Sequence, residues 1–167
     1  ECAGNDFLIT DGREMAEDAV FPVRTVCDFT GADGFMVLRE TEIADFRLEF
    51  YNRDGSRADI CGNGCRCICR FAYDFGIARE GMTVQTDAGL VPGWRIEENL
   101  YRIHLNNPTT MDFYRRQDAV YVELGNPGVP HAVACYDGDL WADADCIRDH
   151  MQQLRHEPAF PKGANVN

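Results

Sequence analysis

One amphipathic helix among strand-like segments constrains this fold more than any other feature of the sequence. From Asn63 to Phe75 the apolar residues recur at helical intervals, and Gly76 follows at the position of a C-terminal capping glycine. The apolar stripe of this predicted helix consists of Cys65, Ile68, Cys69, Ala72 and Phe75. Such a helix is stable only when its stripe is buried, so we expect it to pack against the strands around it.

The segments before and after this helix have the pattern of β-strands. Residues 44–52 alternate, with Phe46, Leu48 and Phe50 on one face, which is the period of a half-buried strand. Further strands are predicted at residues 7–10, 35–39, 82–86, 89–96, 100–105, 119–124 and 131–136, and further helices at 20–29 and 142–155. Strands around one central helix, followed by the start of a similar unit, predict an α+β fold.

The boundary between the two predicted domains lies in an irregular stretch. Asn106–Thr110 interrupts the alternation, and the next clear strand begins at Ala119. The sequence therefore predicts a first domain over residues 1–115 and the beginning of a second, similar domain over residues 116–167.

The charge of the chain excludes several classes of partner. Its formal net charge of −12 and its pI near 4.6 leave no basic stripe to follow a phosphate backbone, and an anionic membrane surface would repel it. No apolar run approaches the roughly 18 to 20 residues of a membrane-spanning helix, and the N-terminus lacks the pattern of a signal peptide. We therefore expect a cytoplasmic protein that binds neither nucleic acid nor membranes.

The eight cysteines are predicted to be reduced thiols rather than a disulfide framework. Four of them crowd into nine residues, where they cannot link distant segments, and their spacing lacks the paired C-x2-C of zinc sites. A single helix also cannot direct four sulfurs at one tetrahedral centre, so no metal is expected. Free cysteine commonly behaves as a small buried hydrophobe. We expect this of Cys27, Cys65, Cys69, Cys135 and Cys146.

Cys61 differs from the other cysteines because glycines follow it at the start of the predicted helix. A helix N-terminus lowers the pKa of a thiol, and a thiol is a useful base only as the thiolate. Gly62 and Gly64 permit tight or left-handed geometry and close approach of a ligand, and free N–H groups at the helix start favour a carboxylate. One turn would then hold a thiolate and a substrate carboxylate, as the removal of an α-proton requires.

Four ordered motifs resemble those of the diaminopimelate epimerase family. They are Ala3–Phe7, Gly31–Gly34, Asn52–Ser56 and Cys61–Cys67, and the resemblance covers nearly all of the 167 residues. It implies two similar α/β halves, each a strongly curved mixed sheet wrapped around a central helix, with the substrate between the two helix N-termini. It also implies epimerisation of LL-diaminopimelate to the meso form, for lysine and cell-wall precursor biosynthesis, by two thiols and no cofactor.

The resemblance implies a role for each matching residue. Cys61 would be the first catalytic thiol, and Gly62 and Asn63 would bind the α-carboxylate of a small amino-acid substrate. Asn5 and Asn52 correspond to polar residues that hold the substrate. Taken alone, each asparagine is more often a turn residue than a ligand, and the match to the motifs reverses that preference.

Further candidate residues fall in the second half of the chain. The family often has Gly-Asn-Pro-His where this chain has Gly125–His131, so either Asn126 or Val129 occupies the position of a ligand-binding asparagine. His131 aligns in both cases and is interpreted either as a partly buried structural histidine or as a residue with a direct role. Asn165 resembles another substrate-binding asparagine, near the interdomain cleft.

Two features that the resemblance implies have no counterpart here. Nothing between Gly125 and Asn167 matches the family's Glu-Arg pair or its second catalytic cysteine, since neither Cys135 nor Cys146 precedes a Gly-x-Gly turn. The chain also begins at Glu1 rather than at a methionine. We therefore expect this chain to be the N-terminal portion of an epimerase. By itself, this portion is not expected to turn over the substrate.

Two other functions stay open at this point. A racemase for another amino acid, related to proline racemases or phenazine-biosynthesis isomerases, would share the fold and differ largely in residues beyond position 167. A non-catalytic module that captures an amino-acid carboxylate at the Gly-Asn-Gly turn would bind its ligand without isotope exchange. The sequence does not determine the oligomeric state, and a homodimer is one of the states left open.

Overall fold

The structure is a computed structural model that describes residues 1–116, 118–125, 128–139, 141–161 and 163–166. These residues form two compact units, Glu1–Asn106 and Asn107–Asn167, and each unit has its own sheet and its own hydrophobic cluster. Within the part of the chain that is described, no helix combines the length and apolar character needed to cross a membrane.

The first unit contains one mixed sheet and two helices. In chain order its elements are β1 (Phe7–Asp11), α1 (Val23–Thr30), β2 (Gly34–Arg39), β3 (Phe46–Asn52), β4 (Arg57–Ala58), α2 (Gly62–Asp74), β5 (Gly81–Thr86), β6 (Gly89–Glu97) and β7 (Leu100–Ile103). The sheet runs in the order β1-β2-β3-β5-β6-β7, and β4 pairs with β3. The pairs β1–β2 and β3–β5 are parallel, and the other pairs are antiparallel.

Helix α2 forms the centre of this unit, because it contacts β1, β2, β3, β5, β6 and β7. A single helix can contact all of these strands only when the sheet curves around it. Its stripe residues Cys65, Ile68, Cys69 and Ala72 are fully buried, in one cluster with side chains of the sheet such as Phe46. The fifth predicted stripe residue, Phe75, is the C-cap residue and is 69% exposed, so its predicted burial is wrong. The predicted α+β fold, with a curved sheet around a central helix, is confirmed.

The second unit is smaller and has a four-stranded sheet. Its elements are β8 (Pro108–Arg116), β9 (Ala119–Leu124), β10 (Val129–Ala134), α3 (Ala144–Arg155) and β11 (Asn165–Val166). The sheet runs in the order β11-β10-β9-β8, with β10 and β11 parallel. Leu154 of α3 is buried in one cluster with Tyr121 of β9 and Phe160. This cluster is the core of the second unit.

Strand β8 occupies the stretch in which the sequence predicts an interruption and a domain boundary. Its side chains Met111, Phe113 and Tyr114 are exposed, and antiparallel pairing with β9, with two register shifts, holds the strand in place. A strand without a buried face has no apolar alternation, which is why the pattern does not reveal it. The division between the units therefore follows Asn106, ahead of the strand, rather than residue 115. The other predicted helices and strands are present, with ends that differ by a few residues.

A buried ion pair joins β2 to β3. Arg39 and Glu49 are 3% and 4% exposed, and Arg39 Nε lies 3.3 Å from Glu49 Oε2. Arg39 Nη1 also donates hydrogen bonds to the carbonyl oxygens of Gly12, at 2.9 Å, and Met15, at 3.1 Å, in the loop that follows β1. The alternation in β3 places Glu49 on the polar face of the strand, opposite Phe46, Leu48 and Phe50. The loop after β1 covers this face and buries the charged pair. Removing one partner of such a pair leaves an uncompensated buried charge.

We predict that Glu49→Ala lowers the free energy of unfolding by about 3 to 5 kcal/mol, because Arg39 would stay buried without its carboxylate. Denaturant unfolding followed by circular dichroism measures the change. Glu80→Ala is the matched control, since Glu80 is 71% exposed in its ion pair with Arg95 and its loss should cost at most about 1 kcal/mol. Equal losses for the two variants would contradict the stabilising role of the buried pair.

Candidate active site

Cys61 is the N-cap residue of helix α2. Its backbone is extended, with φ −134° and ψ 116°, and its carbonyl oxygen accepts the first helical hydrogen bond, from Cys65 N at 2.8 Å. The N–H of Gly64 donates to Cys61 Sγ at 3.3 Å. The thiol therefore takes the place of the side-chain oxygen of a Ser or Thr cap and lies at the positive end of the helix.

The half-buried position of Cys61 raises the pKa of its thiol above the ordinary value. Loss of water around the sulfur is the largest cause, and the N–H groups of Gly64 and Asn63 and the charge of Arg66 oppose it without overcoming it. The helix start thus favours the thiolate, as the sequence predicts, but burial of the sulfur has the larger effect on the pKa and reverses the net shift. The raised pKa favours the protonated thiol of Cys61.

The two glycines after Cys61 do not serve as left-handed turn residues, since neither has a positive φ. Both belong to the first turn of α2, where backbone N–H groups have no acceptor within the helix and favour an anion. A Cβ on Gly64 would lie 3.2 Å from Met36 Sδ and 3.3 Å from Cys61 Cβ. Gly64 thus allows the helix start to pack closely against Cys61 and Met36, whereas a Cβ on Gly62 would lie at an ordinary 3.6 Å from Leu105 Cδ2.

Asn5 reaches α2 from a tight turn ahead of β1. The backbone N–H groups of Cys2 and Asn5 donate to each other's carbonyl oxygens, at 3.0 and 3.1 Å. Ala3 and Gly4 have φ values of 50° and 83°, and a two-residue type I′ turn requires positive values at both positions. Across the turn, Asn63 Nδ2 donates to Asn5 Oδ1 at 2.8 Å. The structure thus brings Asn5 to the helix start of Cys61 and Asn63, although Asn5 is 58 residues from Asn63 in the sequence.

Asn52 lies at the same end of the sheet but is bonded within its own turn. It is the last residue of β3, in register with Gly34 at the start of β2, and Gly34 is in register with Phe7 at the start of β1. Its Nδ2 donates to Ser56 Oγ at 3.0 Å, and its side chain is exposed. Asn52 therefore lies at this end of the sheet because of the strand register, and its side-chain hydrogen bond is to Ser56 of its own turn.

The other candidate residues belong to the second unit. His131 of β10 and Asn165 of β11 are register partners, and Asn165 Nδ2 donates to the carbonyl oxygen of Pro130 at 3.4 Å. Burial lowers the pKa of the His131 imidazole. Asn126 lies outside the described residues, and Val129 begins β10, in register with Leu124 of β9. The assignment of the ligand position to Asn126 or Val129 stays a prediction.

The remaining cysteines divide between core and surface. Cys27, Cys65 and Cys69 are fully buried as predicted, and burial raises the pKa of the Cys69 thiol to about 12. Cys135 and Cys146 are exposed, so their predicted burial is wrong. Cys135 lies just beyond the end of β10, and Cys146 is on an outward-facing part of α3. Among the described residues, no three His, Cys, Asp or Glu side chains are grouped to hold a metal ion.

Two charged residues at this site, Asp33 and Arg66, were not among the candidates from the sequence. Asp33 Oδ2 accepts a hydrogen bond from Asn5 Nδ2 at 3.2 Å, and Arg66 Nη2 donates to Asn63 Oδ1. Both residues lie within motifs that carry the family resemblance, Gly31–Gly34 and Cys61–Cys67. The presence of a charged residue inside each of these motifs could have indicated a role at the site. The sequence does not reveal which asparagine each charged residue contacts.

Comparison with known proteins places the sequence in one family. A family model described as diaminopimelate epimerase matches residues 2–109. A diaminopimelate epimerase of Caldanaerobacter subterraneus subsp. tengcongensis is 39% identical, over 98% of this chain and 67% of its own. Those of Hydrogenobaculum sp. and Aquifex aeolicus are 31% and 32% identical, over 99% of this chain and 66% and 65% of theirs. The chain thus spans about two thirds of the length of these relatives.

Solved structures with a similar fold are more distant in sequence. A phenazine biosynthesis protein of the PhzF family from Bacillus anthracis has a TM-score of 0.55 and 19% identity, over 81% of this chain and 52% of its own. A probable proline racemase from Agrobacterium radiobacter has a TM-score of 0.51 and 14% identity, over 75% of this chain and 44% of its own. At these identities the likeness shows the fold alone.

We predict that alkylation of Cys61 by iodoacetamide is slower in the folded chain than in the urea-unfolded chain at pH 8. The raised pKa keeps the folded thiol protonated. Unfolded thiols ionise at about pH 8.5 and react as thiolates. The folded rate should therefore rise at higher pH than the unfolded rate. Peptide mapping by mass spectrometry follows Cys61 separately from the other cysteines. Faster alkylation of folded Cys61 near pH 7 would contradict the burial argument.

Proposed function

This chain belongs to the diaminopimelate epimerase family, and we propose that it carries one of the two thiols with which its protein epimerises LL-diaminopimelate to the meso form. The observation that carries this proposal is the Cys61 thiol at the N-terminus of α2, with the Asn63 and Asn5 amides beside that helix start. Membership of this family supports an isomerase activity for the protein. The particular substrate, the two-thiol mechanism and the absence of a cofactor are parts of the proposal.

The proposed site divides into a proton-transfer group and a carboxylate-binding group. Gly62 and Asn63 are the first residues of α2, so their N–H groups and the helix dipole favour the α-carboxylate of the substrate. The side chains of Asn5 and Asn52 would hold the rest of the amino-acid end. A carboxylate bound at the helix start would place the α-carbon near Cys61, and the N–H donors would stabilise the negative charge that develops during proton removal.

The proposed reaction transfers two protons through two thiols on opposite faces of the α-carbon. One thiolate takes the α-proton, and the electron pair of the C–H bond is delocalised into the carboxylate. The other thiol then donates its proton to the opposite face and becomes the thiolate. The raised pKa of Cys61 supports its role as the protonated member of the pair at the start. In the reverse direction the same sulfur, as thiolate, accepts the proton.

The other parts of the assignment extend this proposal. The family resemblance also implies substrate-binding roles for Asn126, Asn165 and His131, together with a second catalytic cysteine and a Glu-Arg pair, and these roles stay predictions. The partner is a small amino acid, and a homodimer and a cytoplasmic location remain predictions.

We predict that the natural gene product, incubated with LL-diaminopimelate in deuterated water, incorporates deuterium at the α-carbon and forms the meso isomer. Cys61→Ala should lower kcat by about 10²- to 10⁴-fold, because the variant lacks a positioned proton donor. Cys135→Ala is the matched control, since it removes an exposed thiol of the second unit and should retain full activity. Nuclear magnetic resonance and mass spectrometry measure the exchange.

The same experiment separates the alternatives. Full exchange by the Cys61→Ala variant would exclude the thiol assignment. Binding of LL-diaminopimelate without any exchange would favour the non-catalytic binding module. Exchange into another L-amino acid, such as proline, in place of diaminopimelate would identify a racemase of different specificity.

A further inference from the structure

Four polar side chains form a continuous row of hydrogen bonds across the candidate site. Arg66 Nη2 donates to Asn63 Oδ1, and Asn63 Nδ2 donates to Asn5 Oδ1 at 2.8 Å. Asn5 Nδ2 then donates to Asp33 Oδ2 at 3.2 Å. We call these four side chains the amide row. It connects the first turn of α2 with the turn before β1 and the residue before β2.

The two ends of the amide row determine the direction of every bond in it. A guanidinium group can only donate hydrogen bonds and a carboxylate can only accept them, whereas an amide side chain can do both. Arg66 therefore requires the oxygen of Asn63, which leaves the Asn63 nitrogen to face Asn5. Asp33 requires the nitrogen of Asn5, which leaves the Asn5 oxygen to face Asn63. Rotating either amide by 180° would place donor against donor at one contact and acceptor against acceptor at the other.

Both ends of the row are held in place by further contacts. Asp33 Oδ2 also accepts from the N–H of Asp6 at 3.0 Å, and the N–H of Asp33 donates to the carbonyl oxygen of Asp6 at 2.8 Å. The N–H of Arg53 donates to the carbonyl oxygen of Asp33 at 3.1 Å. Arg66 is in the helix, and its Nε donates to Cys2 Sγ at 3.1 Å. The carboxylate and the guanidinium are therefore fixed on separate elements.

The direction of the row determines what the two asparagines offer to a ligand. Each Nδ2 carries two N–H groups, and the row uses one of them, so each amide retains a second donor. Donors beside the start of α2 add to the backbone N–H groups there and favour a carboxylate. A reversed amide would instead present an oxygen, which repels a carboxylate. The ligand that matches this orientation is thus an anion bound at the helix start.

We propose that Asp33 and Arg66 are positioning residues that orient the Asn63 and Asn5 amides as hydrogen-bond donors toward the substrate carboxylate. The identity of the ligand rests on the proposed function, but the orientation of the amides does not. Asp33 and Arg66 act through the asparagines.

The first test uses the ¹⁵N-labelled 167-residue chain and the side-chain NH₂ signals of Asn5 and Asn63. In Asp33→Asn the acceptor-only end is lost, so the signal of Asn63 should shift although Asp33 bonds directly to Asn5. In Arg66→Gln the donor-only end is lost, and the signal of Asn5 should shift in the same indirect way. Arg66→Lys retains a donor-only end and should leave the Asn5 signal close to its original position.

The matched controls are Asp28→Asn and Arg70→Gln. Asp28 pairs with Arg53 at 3.1 Å, and Arg70 lies one turn beyond Arg66 and pairs with Asp74 at 3.3 Å, so each control removes a charge outside the amide row. Neither should shift the asparagine signals. If Asp33→Asn shifts the Asn63 signal no more than Asp28→Asn does, and Arg66→Gln shifts the Asn5 signal no more than Arg70→Gln does, the proposal is overturned. The two ends test the row independently, so the loss of folding in one variant leaves the other decisive.

The second test measures kinetics of the natural gene product. Asp33→Asn and Arg66→Gln should each raise KM for the amino-acid substrate by about tenfold, the loss expected for one hydrogen bond to a charged group, with a smaller change in kcat. Arg66→Lys should restore KM to within about threefold, since a cation at this position again donates to Asn63. An unchanged KM in both row variants would overturn the role in substrate binding. Shifted amide signals in a protein without epimerase activity would instead contradict the proposed function and leave the orienting role supported.

Discussion

The packing of α2 inside the curved sheet is the interaction on which the rest of the first unit depends. The buried stripe of the helix contacts strands from both ends of the sheet order, so the sheet cannot flatten without exposing it. This arrangement directs the N-terminus of the helix toward the end of the sheet where β1 and β2 begin and β3 ends. Cys61, Asn63, Asn5 and Asp33 come together there for that reason.

Two effects compete at Cys61, and their balance defines its chemistry. The helix N-terminus and the N–H groups of Gly64 and Asn63 favour the thiolate, while burial of the sulfur favours the thiol. Burial is the larger effect, so the pKa of the thiol lies above its ordinary value. In the proposed two-thiol reaction one member of the pair starts as the protonated thiol, and the raised pKa of Cys61 favours that state.

In two places in this unit, charged side chains fix the arrangement of the polar groups around them. The buried pair of Arg39 and Glu49 joins two strands under the loop after β1. At the end of the sheet, Arg66 and Asp33 determine the direction of the hydrogen bond between Asn63 and Asn5. In both cases the donor-only and acceptor-only character of the charged groups gives the neighbouring structure a single arrangement. The amide row therefore links the folding of the unit to the ligand that it can bind.

The sequence by itself determined the central helix, most of the strands and the position of Cys61 at a helix start, because helical and strand periods are properties of neighbouring residues. It also determined the family, through motifs that are each local. Only the tertiary structure decided that β8 is a strand, that Glu49 is buried, that Cys135 is exposed and that the pKa of Cys61 is raised. Strand pairing, burial and desolvation depend on residues that are distant in the chain, and no local pattern records those contacts.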